Sequence, residues 1–170
     1  MAYSNAGYNI SVNGSISLVN GNTTNVITTN SSRSNSFTIG SAAGNVDQIY
    51  DASGTVASSG SATTIDLSTA LNTAGVALGM LHAVLLFFQN LDPSNTLTIK
   101  PAVSDGVTWL PSAGVVCPPG AFFMIGADAI PGGAAVAGFA IVASTSDSIT
   151  IATGGGTNVP YKLTIQGRDA

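Results

Sequence analysis

Eleven residues, Leu78 to Phe88 (LGMLHAVLLFF), form the densest apolar run in a chain otherwise thin in large side chains. Read with period two, Met80, His82, Val84, Leu86 and Phe88 point one way, and Leu81, Ala83, Leu85 and Phe87 the other. Both sets are mostly apolar, so the run is not a half-exposed strand. A short run apolar on both faces fits a central strand of a sandwich or a buried helix segment. The flanks arbitrate. Asp92-Pro93-Ser94-Asn95 follows at once and reads as a turn, because Asp and Asn bond locally to backbone and Pro presets φ. Thr96 to Lys100 then alternates cleanly. The expected order is strand, turn, strand, with the run as a core strand. Eleven residues are too few to span a bilayer as a helix, which needs about 20.

The rest of the chain supports the same class. Charged residues are 7% of the 170, against a usual ~25%. All eight acidic residues are Asp, which favours caps and turns, and there is no Glu to favour helices. Gly, Ser, Thr and Asn dominate the remainder, which suits short strands and tight turns. The four basic residues, Arg33, Lys100, Lys162 and Arg168, are scattered, and the net charge is -4. That leaves no electrostatic footprint for nucleic acid or an anionic membrane surface. A surface with so little self-repulsion suits a protein packed against neighbours. The single cysteine, Cys117, excludes an intrachain disulfide. Met1 to Asn5 has neither a basic nor an apolar leader region, so cytoplasmic synthesis is expected.

Residues 1–44 are polar and read as a hairpin or arm region that packs on the main core or on a neighbour. Tyr8 to Val12 and Ser15 to Val19 flank Asn13-Gly14, a preferred type I′ turn pair. Asn20-Gly21-Asn22 is a second turn, and Thr24 to Thr29 and Ser36 to Ile39 are further short strands. Residues 45–170 read as the sandwich domain. Val46 to Tyr50 is a strand turned by Asp51 to Gly54, and Thr55 to Ala57 is short. Ala62 to Leu67 is a strand, and Ser68 to Gly75 is one helical turn capped by Ser68. Pro101 to Ser112 is a loop carrying Trp109, and Pro118-Pro119-Gly120 is a breaker between Val115–Cys117 and the strand Ala121–Ile125. Ile130 to Gly133 turns the chain, Ala134 to Ala143 is a buried strand, Gly154 to Gly156 is a hairpin turn, and Val159 to Gly167 closes the chain. The expected fold is all-β: a jelly-roll-like β-sandwich with short turns and at most one or two helical turns.

Motifs with chemical potential are weak. His82 lacks a Gly-x-Ser-x-Gly partner and reads as a core or interface histidine. Cys117 reads as a small buried residue, and one Cys with one His makes no structural zinc site. Asp47, Asp51 and Asp66 read as turn residues, since no calcium-loop pattern surrounds them. Gly154-Gly155-Gly156-Thr157 lacks the Lys and helix of a phosphate loop. The sequons at Asn9, Asn13, Asn22 and Asn30 are products of composition without a secretory route. No catalytic, metal or cofactor residues are assigned. The dispersed aromatics are candidate contact or sugar-stacking residues, with Tyr50 among them, and Tyr3, Tyr8, Trp109 and Tyr161 are the expected interface positions.

The order from Asp47 to Gly75 (DQIYDASGTVASSGSATTIDLSTALNTAG), the apolar strand ending in Phe88-Gln89-Asn90-Leu91, Val116 to Gly120 before an aromatic strand, and the terminal Tyr161 to Gly167 together resemble a known style. The chain resembles small β-sandwich structural proteins of tailed-bacteriophage virions, such as head decoration (cement) or minor capsid components. The resemblance covers roughly the last 120 residues. It implies a multi-copy subunit, often trimeric, bound to major capsid protein or other virion proteins and assembled in the host cytoplasm. It carries over no site residues. Residues 1–44 depart from it and would be an arm or added sheet. A receptor- or glycan-binding module of a fibre or spike, using Trp109 and tyrosines, is the second expectation, and a main shell or tube subunit the third.

Overall fold

The computed structural model describes residues 6–20, 23–43, 45–58, 60–72, 75–127, 137–155 and 157–169. Eleven strands follow one another with no helix among the described residues: β1 (Ala6–Asn20), β2 (Thr23–Phe37), β3 (Gln48–Ser58), β4 (Ala62–Asp66), β5 (His82–Asn90), β6 (Leu97–Pro101), β7 (Val115–Cys117), β8 (Phe122–Gly126), β9 (Phe139–Ala140), β10 (Ser148–Thr153) and β11 (Thr157–Arg168). One sheet runs β4-β10-β6-β7. A second runs β3-β11-β5-β8, with β9 also paired to β5. All pairings between these strands are antiparallel.

The pairings nest. The outermost strands of the sandwich sequence, β3 and β11, pair; then β4 with β10, β5 with β8, and β6 with β7. This is a long hairpin rolled into two sheets, so the fold is a jelly-roll β-sandwich. Rolling explains why consecutive strands change sheet. The turn after β5 carries the chain across to β6. The Gly154-Gly155 bend likewise joins β10 in one sheet to β11 in the other, where a hairpin was expected; Gly156 lies outside the described residues.

The inner faces meet in one core. The β11 residues Val159, Tyr161, Leu163 and Ile165 pack with Leu86 and Phe88 of β5, and with Ile65, Leu97, Ile99, Ile149 and Ile151 of the facing sheet. The apolar run is not one uniform strand. Leu78 and Met80 are buried in irregular chain, Leu81 is exposed, and β5 begins at His82. Within β5 a bulge resets the alternation. Gln166 sits opposite Leu85 but Gly167 opposite Ala83, leaving Val84 as the extra residue. Ala83 therefore shares the core with Leu86 and Phe88, against strict period two. A Cβ on Gly167 would lie 2.3 Å from the His82 carbonyl oxygen, so the bulge needs glycine there. The outer face of β5 is apolar because Val84 is covered by Phe37, Val46 and Ile49.

Several turn expectations are corrected. β1 runs straight through Asn13-Gly14, which pair with Asn30 and Thr29. The register instead closes at Asn20↔Thr23, and Gly21 and Asn22 lie outside the described residues. A single ladder satisfies more backbone groups than two short hairpins, which outweighs the local Asn-Gly preference. The separate strands expected at Thr24–Thr29 and Ser36–Ile39 are accordingly one strand, β2, and Ile39 makes only a parallel bridge to Val46. β3 likewise continues through Asp51 to Gly54. Gly54 lies opposite Tyr161, whose ring occupies the space a Cβ would take: Tyr161 Oη would be 2.6 Å away. Gly54→Val should cost about 1–3 kcal/mol by urea denaturation, with the tyrosine displaced. The described residues of the 68–75 segment (68–72 and 75) form no helix. The Asp66 carboxylate, not Ser68, caps the turn, accepting from the Ser68 and Thr69 backbone N–H groups at 2.8 and 3.2 Å. Of the strand expected at 134–143, the described residues show only the two-residue β9, and the turn at 130–133 lies outside them.

Candidate functional site

Asp47, Asp51 and Asp66, neighbours in sequence, are separated by the fold. Asp51 sits on the outer face of the five-stranded sheet, 3.6 Å from Lys162 and accepting from Thr164 Oγ1 at 2.5 Å. Asp66 closes the end of β4. Its turn is tied to β10 through Ser68 Oγ, which lies 2.7 Å from Asp66 Oδ1 and 3.0 Å from Asp147 Oδ2. Asp147 is buried, and its carboxylate also accepts from the Ser144 N–H and from Ser148 Oγ. These bonds are a staple between strands. Asp47 lines an open cleft of about 250 Å³ with Gln48, Asn72, Val76, Ala77, Leu78 and Asp169. There the Asp169 N–H donates to Asp47 Oδ1 at 3.1 Å and Gln48 Nε2 to Asp169 Oδ2 at 3.3 Å, which ties down the end of β11. Among the described residues no three His, Cys or Asp side chains gather as metal ligands.

These carboxylates set the acid response. Burial pushes the Asp66 carboxyl up, but hydrogen bonds from the Ser68 and Thr69 hydroxyls and N–H groups together hold it below its usual 3.8. The N–H groups of Ser94 and Asn95 hold Asp92 below the same value. Both contributions are complete above pH 3.8 and are lost as pH falls through the lowered folded values. Asp47 works the other way: burial first, then the hydrogen bond and charge of Asp169, raise it. Its contribution is present below 3.8 and lost as pH rises through the raised value. Thermal melts across an acid series should show stability falling with pH below about 4; Asp47→Asn should leave that fall in place and remove only the opposing gain that Asp47 gives as pH drops from its raised value toward 3.8.

The expected interface residues are dispersed. Tyr3 lies outside the described residues. For Tyr8 the backbone is described, in β1 opposite Asn35. Tyr161 is a core residue, 4% exposed, its ring 6.1 Å from Phe88. Trp109 is half-buried against the core and stacked on Phe139 at 5.2 Å and 25°. Its indole N–H is buried without an acceptor among the described residues. His82, half-buried, opens β5 opposite Arg168 and Ala140. Cys117 lies in the other sheet opposite Leu97, and burial pushes its thiol up, away from the reactive thiolate.

The feature missed by sequence reading is the outer face of β5 and β8. Register puts Leu85, Phe87 and Gln89 of β5 on that face beside Gly126, Met124 and Phe122 of the edge strand β8. Phe122 stacks on Phe87 with centroids 5.9 Å apart, yet remains 64% exposed, and Leu91 just beyond β5 is 47% exposed. The signal was the pair Phe122-Phe123, because alternation must send one of two adjacent phenylalanines outward. This arrangement can bury apolar area against another surface.

No family model matches the chain, and no match is found among curated proteins or solved structures. Among the described residues no helix is long and apolar enough to cross a membrane.

Proposed function

We propose that the chain is a structural protein of a bacteriophage virion that decorates or cements the capsid through subunit contacts. The observation that carries this reading is the combination of a jelly-roll sandwich with an apolar outer sheet face at Phe87 and Phe122. Jelly rolls recur in capsid and lectin domains, so topology alone supports a class and not a role. Low charge and the resemblance of residues beyond 47 to decoration proteins favour the capsid side. The partners are then major capsid protein or other virion proteins, the subunit is a homo-oligomer with a trimer favoured, and assembly is in the host cytoplasm. The mechanism is area: each Å² of apolar surface removed from water contributes ~25 cal/mol, repeated over many copies. Binding only the assembled shell stabilises it by mass action.

Quantitative mass spectrometry of purified particles of the encoding phage tests this. Stoichiometric copies of the chain are expected; traces or none would refute it. The glycan-binding alternative draws less support, because one face of Trp109 is taken by Phe139. Glycan binding that is lost in Trp109→Ala would restore it.

A further inference from the structure

Strand β8 is an edge without a guard. The two sheets of the sandwich end in β3 and β8, and in β4 and β7. β3 carries Asp51, β4 ends in Asp66, and the short β7 is closed by Pro118-Pro119. Charge, proline and shortness are the usual means of keeping other strands off an edge. β8, Phe122–Gly126 (FFMIG), has neither charge nor proline. Its backbone is half used. Ala121 accepts from the Asn90 N–H, and the Ala127 N–H donates to Val84. Alternation between them turns the N–H and C=O groups of Phe123 and Ile125 toward β5. Those of Phe122, Met124 and Gly126 point to the open edge and find no partner among the described residues. The side chains show the same gap on both faces. Phe122, 64% exposed, and the half-buried Met124 belong to the exposed strip of the outer face. Phe123 and Ile125 turn onto the core yet are only half-buried. No residue of this apolar strand is fully buried.

The geometry points to an extended segment of a partner protein as the missing neighbour: it adds to β8 as a further strand of that sheet. Two features select a strand over other occupants. A surface laid on the outer face would cover Phe122 and Met124 and leave Phe123 and Ile125 as they are. A strand running ~4.8 Å beside β8 reaches both faces at once. The free N–H and C=O groups also recur at every second residue, ~6.8 Å apart, a spacing that another extended backbone matches. The segment is uncharged and apolar on both faces, since β8 offers no charged side chain on either. Main-chain bonds supply the affinity of such an added strand, so the demands on its sequence are loose. This inference goes beyond the capsid reading and does not rest on it.

Amide exchange followed by NMR on the full chain tests it, with a capped peptide of alternating valine and threonine as the probe. In the free chain the amides of Phe122, Met124 and Gly126 should exchange faster than those of Phe123 and Ile125. Peptide at about ten times its dissociation constant should slow these edge amides about tenfold, the factor by which it depletes the unbound state. Met124→Pro removes the central outward N–H and cuts no bond to β5. Phe122→Lys places a charge at an exposed position of the edge. Each variant should keep the circular dichroism of the chain and bind the peptide at least about tenfold more weakly. Edge amides already protected in the free monomer would mean that the chain's own backbone fills the edge. Protection that rises with protein concentration, without peptide, would put a second copy there. Either result overturns the inference, as does a peptide that slows none of these amides or slows them equally in both variants.

Discussion

Phe88→Ala should lower the unfolding free energy by about 3–5 kcal/mol, the range for deleting a fully enclosed phenylalanine. Phe88 is 0% exposed and stands at the centre of the five-stranded sheet, opposite Leu163 on one side and Phe123 on the other. Its ring leans on Tyr161, and the Ile99 and Ile151 strands of the facing sheet close the same core. Both sheets hold the walls of the resulting cavity, so it cannot collapse without shifting a ladder. Part of the cost is therefore void as well as lost transfer energy. For a domain whose total stability is about 5–15 kcal/mol, that removes at least about a fifth of it. Phe122→Ala, one residue from Phe123 but on the open face, should cost under about 0.5 kcal/mol. Urea titrations at one fixed protein concentration measure both. Equal costs for the two phenylalanines would mean that the inward and outward faces of β5 and β8 are assigned wrongly.

What could be read in advance divides along physical lines. Local chemistry was legible. The Asp92 turn is made as its residues require, with Asp92 Oδ1 accepting from the Ser94 and Asn95 N–H groups at 2.8 and 2.6 Å. The alternation of Thr96 to Lys100 appears as buried Leu97 and Ile99 in β6. The sandwich class followed from many short alternating segments. Features that depend on distant partners were hidden. Gly54 reads as a turn glycine until Tyr161 is placed over it. Asn13-Gly14 reads as a hairpin until a full-length ladder competes for the same backbone. The bulge at Val84 flips the facing of residues on either side, which no fixed period can anticipate. The exposed strip was half visible, since Phe122-Phe123 had to split between faces, but which one faced outward depended on β8 pairing with β5.

Asn90→Ala should cost about 2–4 kcal/mol, although it removes no apolar surface. Asn90 is 0% exposed and sits where the chain leaves β5 for the other sheet. Its side-chain amide Nδ2 lies 2.7, 2.9 and 3.0 Å from the carbonyl oxygens of Asn95, Cys117 and Pro118, and its Oδ1 accepts from the Asp92 N–H at 3.0 Å. One side chain thus fastens the end of β5, the crossover turn and the end of β7. Truncation takes a donor from the Asn95, Cys117 and Pro118 carbonyls, the last of which keeps the Ala121 N–H at 3.0 Å, and takes the acceptor from the Asp92 N–H; each buried group left orphaned costs about 1–3 kcal/mol, less where water can reach it. Asn90→Asp separates this from simple loss of shape. The isosteric carboxylate offers no donor and faces three carbonyl oxygens, so its charged form is disfavoured and its folded-state pKa rises. The destabilisation should then exceed that of Asn90→Ala at neutral pH and shrink as the carboxyl is protonated on acidification. The Asn90→Ala cost should stay flat over the same interval. Thermal melts of both variants from neutral to mildly acid pH provide the comparison. An Asn90→Asp cost that is independent of pH would show that water, not the three carbonyls, surrounds this position.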